Sequence, residues 1–256
     1  MRFDKLEFDS QPELPGADAA EPRVEKDHRY WAQAAIDQRR AGNYENALRF
    51  YSRSLEHDKS LVLAWVGQVQ MLVQLCEYPQ ATLWSRKALE IFPNNPELLA
   101  GQAQAECRLG NLRPALALSD GALQQRGESA YRWQVRGELM LAGRERTERH
   151  CFDKAQVADR DWLVPLESAL IYMHYGSSAS AQHRAQLAAE QAPIAPYPWF
   201  VLGQCQTKAG FESAARRSFQ RCLELAPNHQ EASSRLRELE GTSSFSRMFR
   251  RLFGGR

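Results

Sequence analysis

At 256 residues the chain is long enough for one large domain, two small ones or one elongated array. Hydrophobic residues make up 43% and charged residues 25%, which fits a folded protein and excludes wholesale disorder. The net charge of +2 supplies no global field for nucleic acid, so any electrostatic attraction has to be local. No apolar run reaches the roughly 18 residues that crossing a bilayer requires. The start, MRFDKLEFDSQPELPG, lacks the continuous apolar stretch of a secretory signal. A cytoplasmic location is therefore expected, peripheral at most to the inner face of a membrane.

Residues 1–27 hold eight acids and four bases with Pro and Gly between them, and read as an acidic, flexible arm in which Phe3, Leu6 and Phe8 are free to dock. A repeat follows. Trp31, Trp65, Leu99 and Trp133 are spaced 34 apart, and Trp199 lies 66 beyond Trp133. Ala47, Ala81 and Ala115 keep the spacing, and Ala181 and Ala215 resume it. Ser54, Ala88, Ala122, Ala155, Ala188 and Cys222 form a third column, and Gly42, Gly110, Gly143, Gly176 and Gly210 a fourth, with Cys76 in its vacant place. Four columns held in register define six units: 28–61, 62–95, 96–129, 130–161, 162–195 and 196–229.

Within each unit, apolar residues recur at helical spacing in two stretches separated by a break, as in Trp199, Leu202 and then Ala215, Phe219, Leu223. That pattern predicts two antiparallel helices joined by a short turn. Small residues admit a neighbouring backbone and large ones fill the space between helices. Pro93, Pro193 and Pro227 end second helices, since proline cannot donate the helical hydrogen bond. One pair cannot bury its apolar face alone, whereas stacked pairs bury a continuous seam. The fourth unit is two residues short, one missing before Gly143 and one after Ala155, and Glu148 stands where its siblings carry Ala. A looser or bent joint is expected there. Residues 230–241 continue the apolar spacing through Ala232, Leu236 and Leu239 and read as a capping helix ending at Gly241.

These columns resemble those of the tetratricopeptide repeat family over residues 28–229, about four-fifths of the chain. The resemblance implies an all-α, right-handed α-solenoid of about six helix–turn–helix repeats, whose first helices line a concave groove for partner proteins. Carried over position by position, it places Ile36, Gln70, Gln104, Glu138, Leu170 and Gln204 in one inward column. Val66, Ala100, Gln134, Leu166 and Phe200 flank it, with Tyr131 and Tyr197 near the starts of their helices. Amide side chains both donate and accept, which suits the backbone of an extended peptide, and apolar neighbours would form pockets. Read as exposed, Gln70 and Gln104 are expected to tolerate alanine within about 0.5 kcal/mol. Some relatives grip a peptide carboxylate with Lys and Asn on consecutive first helices; here Ala, Val or Ile occupies the matching places, so that clamp is absent.

No nucleophile elbow, phosphate loop, dinucleotide fingerprint or HExxH motif occurs in the sequence. The neighbours His150 and Cys151 diverge by about 100° on a helix, and the remaining histidines form no i, i+4 pair for a metal. Five scattered cysteines without a CxxC argue for apolar fillers rather than disulfides or zinc. The chain thus reads as a non-enzymatic scaffold or adaptor without metal or cofactor, with a protein or peptide as partner and nucleic acid not expected. The tail, 242–256, holds four Arg and no acid. On a helix, Phe245, Met248, Phe249, Leu252 and Phe253 form one face and Arg247, Arg250 and Arg251 the other. Such segregation suits an anionic membrane surface, a partner groove or a second copy of the chain, or a cap on the last repeat. The alternative function is accordingly a membrane-recruited assembly factor or co-chaperone anchored by this tail.

Overall fold

The structure, a computed structural model, describes residues 26–253, with side chains described as far as Gly241. Residues 1–25 of the acidic arm and the side chains of the basic tail lie outside the described residues. Thirteen helices and no strands occur among the described residues. They run in antiparallel pairs: α1 (His28–Arg40) and α2 (Tyr44–His57), α3 (Val62–Gln74) and α4 (Tyr78–Ile91), α5 (Pro96–Arg108) and α6 (Leu112–Gln124). There follow α7 (Ala130–Ala142) and α8 (Glu148–Ala158), α9 (Leu163–His174) and α10 (Ser178–Gln191), α11 (Pro196–Lys208) and α12 (Glu212–Leu225), and then a single helix, α13 (Gln230–Phe253).

Local chemistry sets the helix ends. The Asp27 carboxylate accepts from the Tyr30 N–H at 2.9 Å, and Asn95 and Ser129 cap α5 and α7 in the same way. Pro96 and Pro196 open their helices, where the missing N–H costs nothing. Each first helix ends in one repeated motif, with a left-handed residue followed by an N–H that reaches back five residues. Asn43 donates to the Gln38 carbonyl, Asn111 to Glu106, Ser177 to Tyr172 and Phe211 to Gln206, all at 2.9 Å. Cys76, with φ of 62°, does take the glycine's place. The fourth unit corrects the sequence reading. Gly143 is right-handed at φ −75°, and Arg144 carries the left-handed turn at φ 59°. Arg144 stands 34 residues after Gly110, so the unit's first missing residue falls beyond Arg144, not before Gly143. The second helix still forms there, as the 11-residue α8.

First helices pack side by side along one layer, from α1 against α3 through to α9 against α11, and each second helix packs on its own first helix and on the next one. Four of the five cysteines are buried as fillers, and Cys76 is exposed. The close-packing alanines Ala47, Ala81, Ala115, Ala181 and Ala215 are all 0% exposed. α13 packs on α12, and Ala232 and Leu239 join the core around Phe219 and Cys222. It does not end at Gly241. One helix continues to Phe253, because a glycine inside a helix costs only about 1 kcal/mol and no proline follows it.

Candidate functional site

The concave face is filled by the protein's own side chains. Gln70, Gln104, Gln134, Glu138, Leu166, Tyr197 and Phe200 are buried, and Tyr131, Leu170 and Gln204 are half-buried. The exposure assumed for Gln70 and Gln104 is therefore corrected: both face other inner side chains, not solvent. Gln104 donates to Glu138 at 2.7 Å and accepts from the Tyr131 hydroxyl at 2.9 Å. Gln134 donates to the Val164 carbonyl at 2.9 Å, tying α7 to α9. Glu138 is fully buried, and it also accepts from Arg108 Nε and from the Tyr175 hydroxyl. Leu166, Tyr197 and Phe200 belong to the hydrophobic core of the last three units, where the Phe200 ring lies 4.6 Å from His229 and 6.0 Å from Phe219. The tail residues proposed for interaction lie on the helical backbone of α13, with their side chains outside the described residues.

A clasp across the superhelix closes this face. Arg39, near the end of α1, donates through Nε to Glu167 of α9 at 2.8 Å, adds a second bond from Nη2 to the same oxygen, and reaches Gln70 with Nη1 at 2.7 Å. Arg40 pairs with Asp161 at 2.8 Å, its guanidinium lying 4.8 Å from the Trp162 ring centroid. Tyr44 at the start of α2 hydrogen-bonds Tyr197 of α11, hydroxyl to hydroxyl, at 2.9 Å. Gly42 gives way to the Tyr197 ring, since a Cβ there would fall 2.3 Å from it. The first repeat thereby touches the end of the fourth, the fifth and the sixth.

Electrostatics follow from burial. Removal from water opposes the charge on Arg108 and on Arg39, but Glu138 and Glu167 outweigh it, and both guanidiniums are held well above their ordinary pKa. Burial pushes the Cys107 thiol up to about 11, with the Glu138 carboxylate adding to the effect. It stays a protonated, weakly reactive thiol 3.5 Å from the Tyr175 hydroxyl. Burial likewise raises Tyr44, Tyr131 and Tyr175, so these phenols remain neutral donors. Among the described residues, no group of three or more His, Cys, Asp or Glu is arranged to hold a metal ion.

Position-by-position reading found Glu138 but missed Arg39, Arg40, Arg108, Glu167 and Tyr175. One signal was available. Glu138 is a lone acid in a column of amides and aliphatics, and a buried carboxylate demands a cation. Which cation answers it depends on curvature, which no spacing rule contains.

No family model and no curated protein matches the chain. Solved structures do. A thermophilic TPR protein of Thermus thermophilus superposes with a TM-score of 0.51 at 15% identity, over 83% of this chain and 98% of that one. A tetratricopeptide repeat protein from Parabacteroides merdae gives 0.50 at 18% identity, over 86% and 87%. A chain of the APC/C hetero-tetramer Cut9–Hcn1 gives 0.50 at 15% identity, over 85% of this chain and 44% of that chain, so the present chain spans less than half its length. At these identities the likeness concerns architecture, and it agrees with the repeat columns, the capped turns and the layered helix pairs. In fold, the chain is a tetratricopeptide-repeat solenoid.

Proposed function

We propose that the protein is a non-catalytic scaffold that holds a protein or peptide partner on its concave side, in competition with its own clasp. The observation that carries this reading is the inner network itself. Gln70, Gln104, Tyr131 and Gln134, from successive first helices, already hydrogen-bond across the face with groups that an extended peptide backbone could replace. Leu170 and Gln204 remain partly accessible beside them. Entry of a peptide exchanges one set of hydrogen bonds for another, so the main cost is parting α1 and α2 from α9 and α11. Arg40 and Asp161 are each about one-third exposed, so that part of the clasp contributes little and loosens with salt.

Arg40→Ala with Tyr44→Phe weakens the clasp and leaves the inner amides in place. Small-angle scattering should show a larger radius of gyration for this variant. A peptide array should yield ligands that bind it more tightly than wild type and lose affinity again when Gln104→Ala is added. Identical peptides bound with identical affinity by both proteins would move the partner site off the concave face.

A second reading makes the protein a membrane-recruited assembly factor or co-chaperone, with the tail as a peripheral anchor. It draws support from α13, whose unbroken helical backbone through Phe253 has the period on which the tail sequence separates five apolar residues from three arginines. No described helix is long and apolar enough to cross a membrane, and the attachment in this reading is interfacial. Phe249→Glu with Phe253→Glu should abolish flotation with anionic vesicles, and wild-type binding should weaken with salt. Wild-type protein that never floats ends this reading.

A further inference from the structure

Among the second helices, where α8 and α10 flank α9, lies a cavity of about 350 Å³ lined by Arg149, Asp153, Tyr172, Ser180, His183 and Arg184. It adjoins the shortened α8, which has 11 residues where the second helices of the other units have 13 or 14. Its lining breaks the repeat. The position that holds Phe50, Trp84, Leu118 and Cys151 in the first four units holds Arg184 in the fifth, so an arginine stands where the earlier units carry a filler. Arg184 is 8% exposed and donates through Nη2 to Asp153 at 2.5 Å, and its other N–H groups have no acceptor in the protein.

Tyr172 is 2% exposed, its ring 4.9 Å from Phe152, and its hydroxyl makes no hydrogen bond within the protein. The hydroxyl borders the cavity and is open to an incoming acceptor there. Burial first, and then the nearby Glu148 carboxylate, push this phenol up to about 12, so it is a donor throughout the physiological range. Ala179 and Ser180 bring the first turn of α10 to the same cavity, and the helix's N-cap, Ser177, makes no side-chain capping bond. The free N–H groups of such a turn favour an anion. Donors thus dominate the lining. Its acid, Asp153, is engaged by Arg184.

We propose that this cavity binds a phosphate monoester, with Arg149, Arg184 and the Tyr172 hydroxyl gripping the phosphate. A tetrahedral oxyanion offers acceptors to donors converging from three helices. The volume, far above the ~30 Å³ of one water, leaves room for the group that carries the phosphate.

The test is calorimetric titration of the full-length protein with O-phosphoserine and, separately, inorganic phosphate, in chloride buffer of constant ionic strength. Tyr172→Phe removes one hydroxyl and keeps the ring on Phe152. Arg149→Ala changes an exposed residue and leaves the core intact. Each should weaken O-phosphoserine binding about tenfold, the scale of one hydrogen bond to a charged group, with the melting temperature in chloride unchanged. Absence of O-phosphoserine binding by wild type, binding of inorganic phosphate without O-phosphoserine, or variants that bind as wild type does would each overturn the proposal.

Discussion

At the scale of single residues, the inner face behaves as a core with charges in it. Glu138 is fully buried with Arg108, Gln104 and Tyr175 around it. Glu138→Ala leaves a buried guanidinium without its counter-ion and should cost about 3–5 kcal/mol in urea denaturation. Replacing Glu138 and Arg108 together with leucine should recover much of that loss, because the attraction within a buried pair offsets its own desolvation poorly. Gln104→Ala strands the Tyr131 hydroxyl and one Glu138 oxygen, for about 1–3 kcal/mol. The thiols define a pH dependence. Burial raises Cys107 and Cys222 to about 11 and Cys205 to about 12 from an ordinary 9.0. The unfolded chain therefore sheds these protons first. The stability the neutral thiols contribute is complete below pH 9 and is lost as pH rises through about 11 to 12. Chemical denaturation followed across that window should show the fall, and a Cys205→Ala, Cys222→Ala variant a shallower one.

At the scale of elements, each helix pair depends on a close approach that a methyl group can spoil. A Cβ on Gly203 of α11 would lie 2.6 Å from the Phe219 ring of α12, so Gly203→Ala should lower stability by about 1–3 kcal/mol. Ala215→Leu, at a site with no exposed surface, should cost a similar amount. Gly241 is the opposite case. It sits inside α13, and an added Cβ would meet nothing within 4 Å, so Gly241→Ala should raise helicity by circular dichroism and stabilise α13 by up to about 1 kcal/mol. A drop in helicity would mean that α13 breaks at Gly241.

At the scale of the whole molecule, the clasp makes six stacked repeats a closed figure in which the first repeat meets the end of the fourth, the fifth and the sixth. Two glycines in equivalent turns separate its contribution from that of the turns themselves. Gly42 and Gly210 have nearly the same left-handed φ, 79° and 81°. An added Cβ would strike the Tyr197 ring at Gly42 and would meet nothing within 4 Å at Gly210. Alanine at either position should incur the left-handed backbone cost of about 1–2 kcal/mol. Only Gly42→Ala should also raise the radius of gyration in solution, by pushing Tyr197 away from Tyr44. Equal scattering curves for the two variants would show that the clasp does not hold the superhelix closed.

The repeat, the pairing of helices and the close-packing alanines were legible from the sequence, because each rests on spacing along one chain and on the size of one side chain. Cys76 in the left-handed turn could be read from its column alone. The same logic failed by one residue at Arg144, where a neighbouring glycine drew the column to the wrong position. It failed more widely on the concave face. Whether Gln70 and Gln104 meet solvent or Arg39 and Glu138 depends on how far the small rotations between successive repeats add up, and no single column carries that sum. The same holds for Arg149, Tyr172 and Arg184, which come from three helices and share a cavity only once those helices are stacked. Local sequence determined what each unit is; the accumulated curvature decided which units touch, and with that which polar groups are buried and which face solvent.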